Sequence, residues 1–433
     1  MIRAQQLNGH KVPSDVVTMI LDEVEDVYKR NYNSIKVLIR VSFGLGVNLT
    51  APTRFKDSLR IFNVILVTTS LLSLYAHWCY LIRHFDNILL LAETVCTALQ
   101  TLISAVKMVY FLFTQRTFYQ LIDQALTHEV IRKIEIFKYD FPINRQLKQE
   151  IDDIMSGVWR HARRQILFYF CCCIGIVFNY FFGAFFVNLY HQLKQTPNYN
   201  FILPFPALYP FWEAKGMTFP YYHLQMYMTG SAVYIAGICA VSFDGVFIVL
   251  CQHAVGLVKV HNLLVLRATS PLIPPERRVD YLRYVIFTYQ RVRVYVQQVQ
   301  TIYKHVSLSQ FVLSLIVFGF VLFEMSFGLE SSITIFIRMI MYISAGGTQI
   351  IIYCYNGQQL TSVSEEMPLA FYSCGWYEEN KKFKQLLRMM IMRTNRHFYL
   401  EVSWFTLMNL ATLIALFRMS GSYFLLLRNL QES

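Results

Sequence analysis

The chain is 433 residues long, 55% hydrophobic and only 15% charged, with a mean hydropathy of +0.38. A soluble chain carries roughly a quarter charged residues, and here the apolar residues also run in long blocks, so the composition argues for an integral membrane protein and against a large soluble enzyme. The formal net charge of +12 does not mark a nucleic-acid binder, because the basic residues gather in particular loops, as they do on the cytoplasmic side of membrane proteins.

The first residues, MIRAQQLNGHKVPSD, are polar and hold no apolar signal-peptide core, so the first membrane helix is expected to direct insertion. A span needs about 20 mostly apolar residues. Seven stretches qualify: 61–82, 88–113, 166–190, 222–250, 306–327, 333–355 and 398–427. The predicted fold is an all-α polytopic membrane protein with seven transmembrane helices. The second stretch is interrupted by Glu93 and Lys107 and the seventh by Arg418 and Gly421. Lys107 lies near the cytosolic end of its span and is expected to snorkel to the interface. Asp244 is the only Asp well inside a span.

Orientation follows from Lys and Arg. Segments 1–60, 114–165, 259–304 and 356–397 carry 32 of the 39, and the alternate segments 83–87, 191–221, 328–332 and 428–433 carry 4. The N-terminus is therefore cytoplasmic and the C-terminus extracellular, with 1–60 a cytoplasmic N-terminal segment. This is opposite to a G-protein-coupled receptor. The loop after the third span, PNYNFILPFPALYPFWEAKGMTFP, is rich in proline and aromatics and is expected to pack as a lid on the bundle.

Two cytosolic stretches have helical periodicity. Residues 275–304 place Tyr281, Tyr284, Val285, Tyr289, Val292 and Tyr295 close to i, i+3, i+4 spacing. Residues 378–396 put Phe383, Leu386, Leu387, Met390 and Ile391 on one stripe, facing either protein or an anionic lipid surface. None of the nine cysteines falls in an outside loop, so no extracellular disulfide is expected, and Cys171 to Cys173 read as small apolar residues of a span. There is no P-loop, G-x-G-x-x-G, H-E-x-x-H or G-x-S-x-G, so neither an enzyme nor a cofactor or metal is expected.

Residues 353–377 read YCYNGQQLTSVSEEMPLAFYSCGWY. Tyr353, Cys354, Tyr355, Gly357, Leu360, Ser364, Ala370, Tyr372, Trp376 and Tyr377 resemble, at matching spacing, the C-terminal signature of the insect odorant receptor family. A cytosolic helix follows, and then a last span ending in Ser422-Tyr423-Phe424. Phe243-Asp244 with His253 nine residues on is a weaker match, and Pro368 departs from the pattern and is expected to bend the connector.

The resemblance implies an odour-tuned subunit of a tetrameric, ligand-gated, non-selective cation channel in the plasma membrane of an olfactory sensory neuron, paired with the odorant receptor coreceptor. The coreceptor has a longer loop between spans four and five than residues 251–305 here. Residues 61–355 would form a six-helix ligand-binding bundle with cytosolic extensions, 356–397 a cytosolic subunit anchor, and 398–433 the pore-lining helix and a short tail. The anchor residues would be Tyr353, Tyr355, Gly357, Leu360, Ser364, Tyr372 and Trp376. Tyr423, Leu426 and Leu430 would face the pore, where a ring of leucines holds a narrow channel dry. The family's pocket lies in the outer half, between spans two, three, four and six. There the sequence offers Ile88, Leu91 and Cys96; Phe178, Phe182 and Phe185; Tyr222, Met226 and Tyr227; and Ile337, Met341 and Tyr342. This aromatic and sulfur-rich set favours a small aromatic or sulfur-containing volatile. A gustatory-type channel of the same superfamily is the alternative, but its C-terminal Gln-Phe is absent. A G-protein-coupled receptor fails on orientation.

Overall fold

Lipid offers no partner to a peptide N–H, so a chain that crosses it must bond its backbone within itself. The computed structural model describes residues 14–50, 56–86, 88–196, 199, 201–215, 218, 220–331, 333–403 and 406–432. Two helices, α1 (Ser14–Ser34) and α2 (Lys36–Phe43), precede the first span. Then come α3 (Lys56–Arg83), α4 (Ile88–Leu126), the short α5 (Glu129–Arg132), α6 (Asn144–Leu193), α7 (Tyr221–Leu266), α8 (Arg278–Ser331), α9 (Ile333–Tyr372) and α10 (Lys381–Thr394). A short hairpin of β1 (Glu401–Ser403) and β2 (Thr406–Leu407) leads into α11 (Leu410–Glu432). By length and hydropathy α3, α4, α6, α7 and α8 each suffice to cross a membrane. With α9, and with α11 and its apolar stretch Leu410–Leu426, they make the seven-helix membrane fold.

Several helices are far longer than the bilayer requires. At 50 residues α6 is roughly 75 Å long, against a hydrocarbon core of about 30 Å. Its first half, NRQLKQEIDDIMSGVWRHARR, is charged and continues on the side that the charge asymmetry makes cytosolic. There the helices form one continuous core around α7, whose residues 239–258 are all buried. Such a run fits a helix that is apolar all round. Leu38 of α2 fills the notch at Gly245, where a Cβ would overlap its side chain.

In the cytosolic half of α8, Tyr281, Val285, Tyr289, Val292 and Tyr295 are buried and Tyr284 is half-buried. The Asn380 side chain caps α10 by accepting from the Phe383 N–H at 2.9 Å. Phe383, Leu387 and Met390 are buried, so the apolar stripe of α10 faces protein. The loop after α6 folds inward: Phe205, Ala207 and Tyr209 are buried with Ala76 and Ala232, and Phe205 stacks on His77 at 4.5 Å.

The last span does not begin at Phe398. Residues 398–403 and 406–407 are extended, because side chains of neighbouring helices clamp the backbone. Ser364 Oγ accepts from the Phe398 N–H at 2.6 Å. The Gln300 amide bonds both the N–H and the carbonyl of Glu401, at 2.8 and 3.1 Å. The helix starts only at Leu410, after the Asn409 side chain accepts from the Thr412 N–H at 2.8 Å. Pro368 lies inside α9 and removes one helical hydrogen bond, yet the helix runs on to Tyr372.

Candidate binding cavity and the buried charge beneath it

Small residues on α7 open a space near the middle of the bundle. A Cβ on Gly230 would overlap the Phe181 ring and one on Gly237 would overlap Val177, so α6 and α7 approach closely at those two positions. Beside them lies a cavity of about 100 Å³. Its wall is made by Thr97, Gln100 and Thr101 of α4, by Tyr169, Cys173, Ile176, Val177 and Tyr180 of α6, and by Ala232, Val233, Ala236, Gly237 and Ala240 of α7. Tyr342, Ala345, Gly346 and Gln349 of α9 and Phe205 of the inward loop complete it. The alanines and glycines create the volume, while tyrosines, threonines and glutamines of α4, α6 and α9 supply its polar groups.

Two wall residues, Tyr169 and Gln349, reach down to Asp244 of α7. Asp244 is fully buried and accepts four hydrogen bonds. Lys107 Nζ of α4 and Tyr353 Oη of α9 each donate to Oδ1 at 2.7 Å; Tyr169 Oη donates to Oδ2 at 2.8 Å and Gln349 Nε2 at 2.6 Å. Lys107 is correspondingly buried, its side chain 2% exposed. It does not snorkel. A charge this far from water needs a counter-ion, and Asp244 supplies it. Four helices thus meet at one carboxylate directly below the cavity. The polar chain continues on α9, where Gln349 Oε1 accepts from Gln310 of α8 at 3.1 Å. Further down, Gln252 of α7 donates to Asn356 and Gln359 at 2.6 Å each.

The comparisons with known proteins agree in one direction. The family model described as the 7tm Odorant receptor matches residues 87–421. The chain belongs to the odorant receptor family. It is 49% identical to Odorant receptor 63a of Drosophila melanogaster over 416 residues, covering 95% of this chain and 99% of that one. Odorant receptor 67b of the same species is 27% identical over 402 residues, covering 90% and 94%. Among solved structures, the insect olfactory receptor OR5 from Machilis hrabei in complex with eugenol superposes with a TM-score of 0.74 at 14% identity, covering 93% of this chain and 99% of that one. Without eugenol the TM-score is 0.71, with 92% and 98% covered. The protein is thus a multi-pass membrane protein of the olfactory neuron, from a family of receptors.

The receptor's cavity lies between the four helices on which the sequence reading placed a pocket, but most of its wall is made by other residues. Tyr342 lines it. Cys96 sits behind Tyr342, its carbonyl accepting from the phenol at 2.9 Å. Phe178, Phe182 and Phe185 are 56%, 36% and 44% exposed and form an outward ladder, with Phe178 and Phe182 stacked at 4.6 Å. Tyr222 and Met226 are buried with Ala184 nearer the outer end, Tyr227 is exposed, and Leu91 and Met341 are half-buried off the wall. The side chains of Ile88, Ile337 and Leu430 lie outside the described residues.

Of the residues assigned to the pore, Tyr423 packs its ring on Gly319 and edge-on to Phe320 of α8 at 5.9 Å, and Leu426 is exposed. Of those assigned to the anchor, Tyr353, Gly357, Leu360 and Ser364 make contacts within the chain: a Cβ on Gly357 would overlap the Met408 backbone. Tyr355 and Tyr372 are exposed, and the Trp376 indole donates to the Tyr372 carbonyl at 3.0 Å. Asp244 as a hub was missed. The available signal was a Lys and an Asp of opposite sign, each six residues before the cytosolic end of its span.

Proposed function

We propose that this receptor is the odour-binding subunit of a heteromeric ligand-gated cation channel, in which a small volatile enters the cavity and α11 lines the pore beside the corresponding helix of the odorant receptor coreceptor. The observation that carries this reading is the connection from cavity to last helix. Gln349 on the wall and Tyr353 one turn below both hold Asp244. The same helix, α9, then clamps the C-terminal hairpin through Gly357 against Met408 and Ser364 against Phe398. That hairpin opens directly into α11. A ligand that shifts α9 therefore shifts the base of the pore helix. Membership of the odorant receptor family and the fold shared with a receptor solved with eugenol support the reading.

The ligand must be small. A dry cavity of about 150 Å³ takes benzene, so about 100 Å³ fits a benzene-sized or smaller molecule once side chains yield a little. Aromatic walls from Tyr180, Tyr342 and Phe205 suit an aromatic guest. Met226 and Met341 do not line the cavity, so no methionine sulfur favours a sulfur ligand there.

The test is whole-cell current in cells expressing the receptor with and without the coreceptor, under a panel of small volatiles that includes eugenol. Current that requires both chains and a subset of the panel is the expected result. Surface-labelled receptor with coreceptor that passes no current to any ligand would overturn the channel reading.

A further inference from the structure

The polar groups of the cavity wall are unequally occupied. Thr97 Oγ1 donates to the Glu93 carbonyl at 3.1 Å and Thr101 Oγ1 to the Thr97 carbonyl at 2.9 Å. Tyr169 and Tyr342 spend their protons on Asp244 and on the Cys96 carbonyl. Gln349 uses both ends of its amide, donating to Asp244 and accepting from Gln310. The hydroxyl oxygens of Thr97, Thr101 and Tyr342 keep the capacity to accept. Gln100 differs: it lines the same cavity, and among the described residues its side-chain amide makes no hydrogen bond. Thr97, Gln100 and Thr101 stand at i, i+3 and i+4 on α4, so they share one face.

This stripe offers several acceptors and one uncommitted N–H donor pair. From that inventory we infer that Gln100 sets ligand choice and that the ligand class is a small alcohol or phenol. Its hydroxyl proton goes to a threonine or tyrosine oxygen, and its oxygen accepts from Gln100 Nε2. An ether or ketone of the same shape satisfies only Gln100, leaving the acceptors idle. A hydrocarbon strands the amide as well, and a buried polar group left unpaired costs more than the bond itself contributes. The inference rests on the cavity being the odorant site.

The experiment uses the full receptor with its coreceptor and compares concentration–response curves for phenol, anisole and toluene, and for butanol and butanal, normalised to surface-labelled receptor. Wild type should favour each hydroxyl compound over its matched partner by about tenfold, the order expected of one well-made hydrogen bond. Q100L should bring the anisole response down to that of toluene and cut the preference of phenol over toluene about tenfold while keeping the toluene response, and Q100M serves if Q100L does not reach the surface. Unchanged preferences of anisole and phenol over toluene in the Gln100 variants overturn the inference, as does a wild-type receptor silent to every hydroxyl compound. A cavity-filling variant, A236F, separates the inference from its premise. If A236F at the surface answers phenol like wild type, the cavity is not the odorant site. If A236F is silent while Q100L keeps the wild-type preferences of anisole and phenol over toluene, the site stands and the role of Gln100 falls.

Discussion

The outer and the cytosolic halves of this receptor are built on opposite terms. In the cytosolic half α7 is buried on every side from residue 239 to 258, and aromatic side chains of α4, α7, α8 and α9 interlock around it. In the membrane-spanning part, only 17% of the most apolar window of α6 is buried inside the protein, although its mean hydropathy is 2.1. In water an apolar side chain is driven inward. In lipid it gains nothing by leaving the hydrocarbon, so small and polar residues form the helix contacts there. The same Phe that would mark a core in the cytosolic half marks the lipid face of α6. The cavity is correspondingly lined by Ala, Gly, Thr, Tyr and Gln.

The sharpest way to break this comparison is to remove the charge that ties the halves together. D244N leaves the Lys107 ammonium, 2% exposed, without a counter-ion, at a cost of about 3–5 kcal/mol. Against a total stability of roughly 5–15 kcal/mol, surface expression should fall close to background. The double variant K107M/D244N removes both charges while the Asn oxygen still accepts from Tyr353 and its amide N–H can donate to Tyr169 Oη, so surface labelling should recover. Normal surface labelling of D244N alone would show that the pair does not hold the four helices together.

The next effect tests the cytosolic core by pH. His128 sits in the turn between α4 and α5 with a left-handed backbone (φ 48°). Its Nε2 accepts from Trp159 Nε1 of α6 at 3.0 Å and lies 2.8 Å from Asn31 Nδ2 of α1. The ring faces His253 of α7 at 5.6 Å, with Arg30, Arg132 and Asp152 nearby. Burial first, then Arg30, pushes its pKa from 6.5 down to about 4. Protonating Nε2 would turn the acceptor into a donor and break both bonds. The folded state therefore holds the neutral ring, and the unfolded state takes up the proton first. The stabilisation is complete above pH 6.5 and is lost as pH falls from there towards 4. It amounts to about 3 kcal/mol. Melting of detergent-solubilised receptor should drop through that window, and H128Q, which keeps an acceptor, should make the drop shallower. An unchanged slope in H128Q would assign the acid sensitivity elsewhere, to His253, which burial holds well below the ordinary imidazole range, or to His261, pushed down to about 3.

These two sites also show what the sequence made legible. The spans, their number and their orientation followed from apolar length and from a 32-to-4 split of basic residues. The cytosolic helices followed because water enforces a 3.6-residue stripe: Tyr281, Val285, Tyr289, Val292 and Tyr295 all point inward. Within the bilayer that rule has no force, and choosing large aromatics as pocket residues selected Phe178, Phe182 and Phe185, which face outward. The polar stripe Thr97, Gln100 and Thr101 was visible in the sequence, at helical spacing inside a span, and marked the cavity better than any phenylalanine. The pairing of Lys107 with Asp244 required comparing depths across two spans rather than judging each charge alone. The extended segment 398–403 was hidden because its partners, Gln300 and Ser364, come from distant parts of the chain.

The smallest expected effect sharpens the comparison most directly. Phe178 and Phe182 stack on each other at 4.6 Å on the outer face of α6. If lipid is their environment in both the folded and the loosened receptor, shortening them loses only the ring pair. F178L/F182L should then change the melting temperature little, within about 0.5 kcal/mol as for other surface sites, and leave the odorant response per surface receptor unchanged. The same exchange at Phe247, fully buried and stacked on Tyr353 at 4.4 Å, removes aromatic contact beside Asp244. Leucine is smaller and differently shaped, so F247L should cost on the order of 1–3 kcal/mol. The two variants share one chemistry and differ only in which half they occupy. Equal losses at both sites would mean that the outer ladder is buried after all, against a neighbouring subunit rather than lipid, and would redirect the search for the subunit interface to α6.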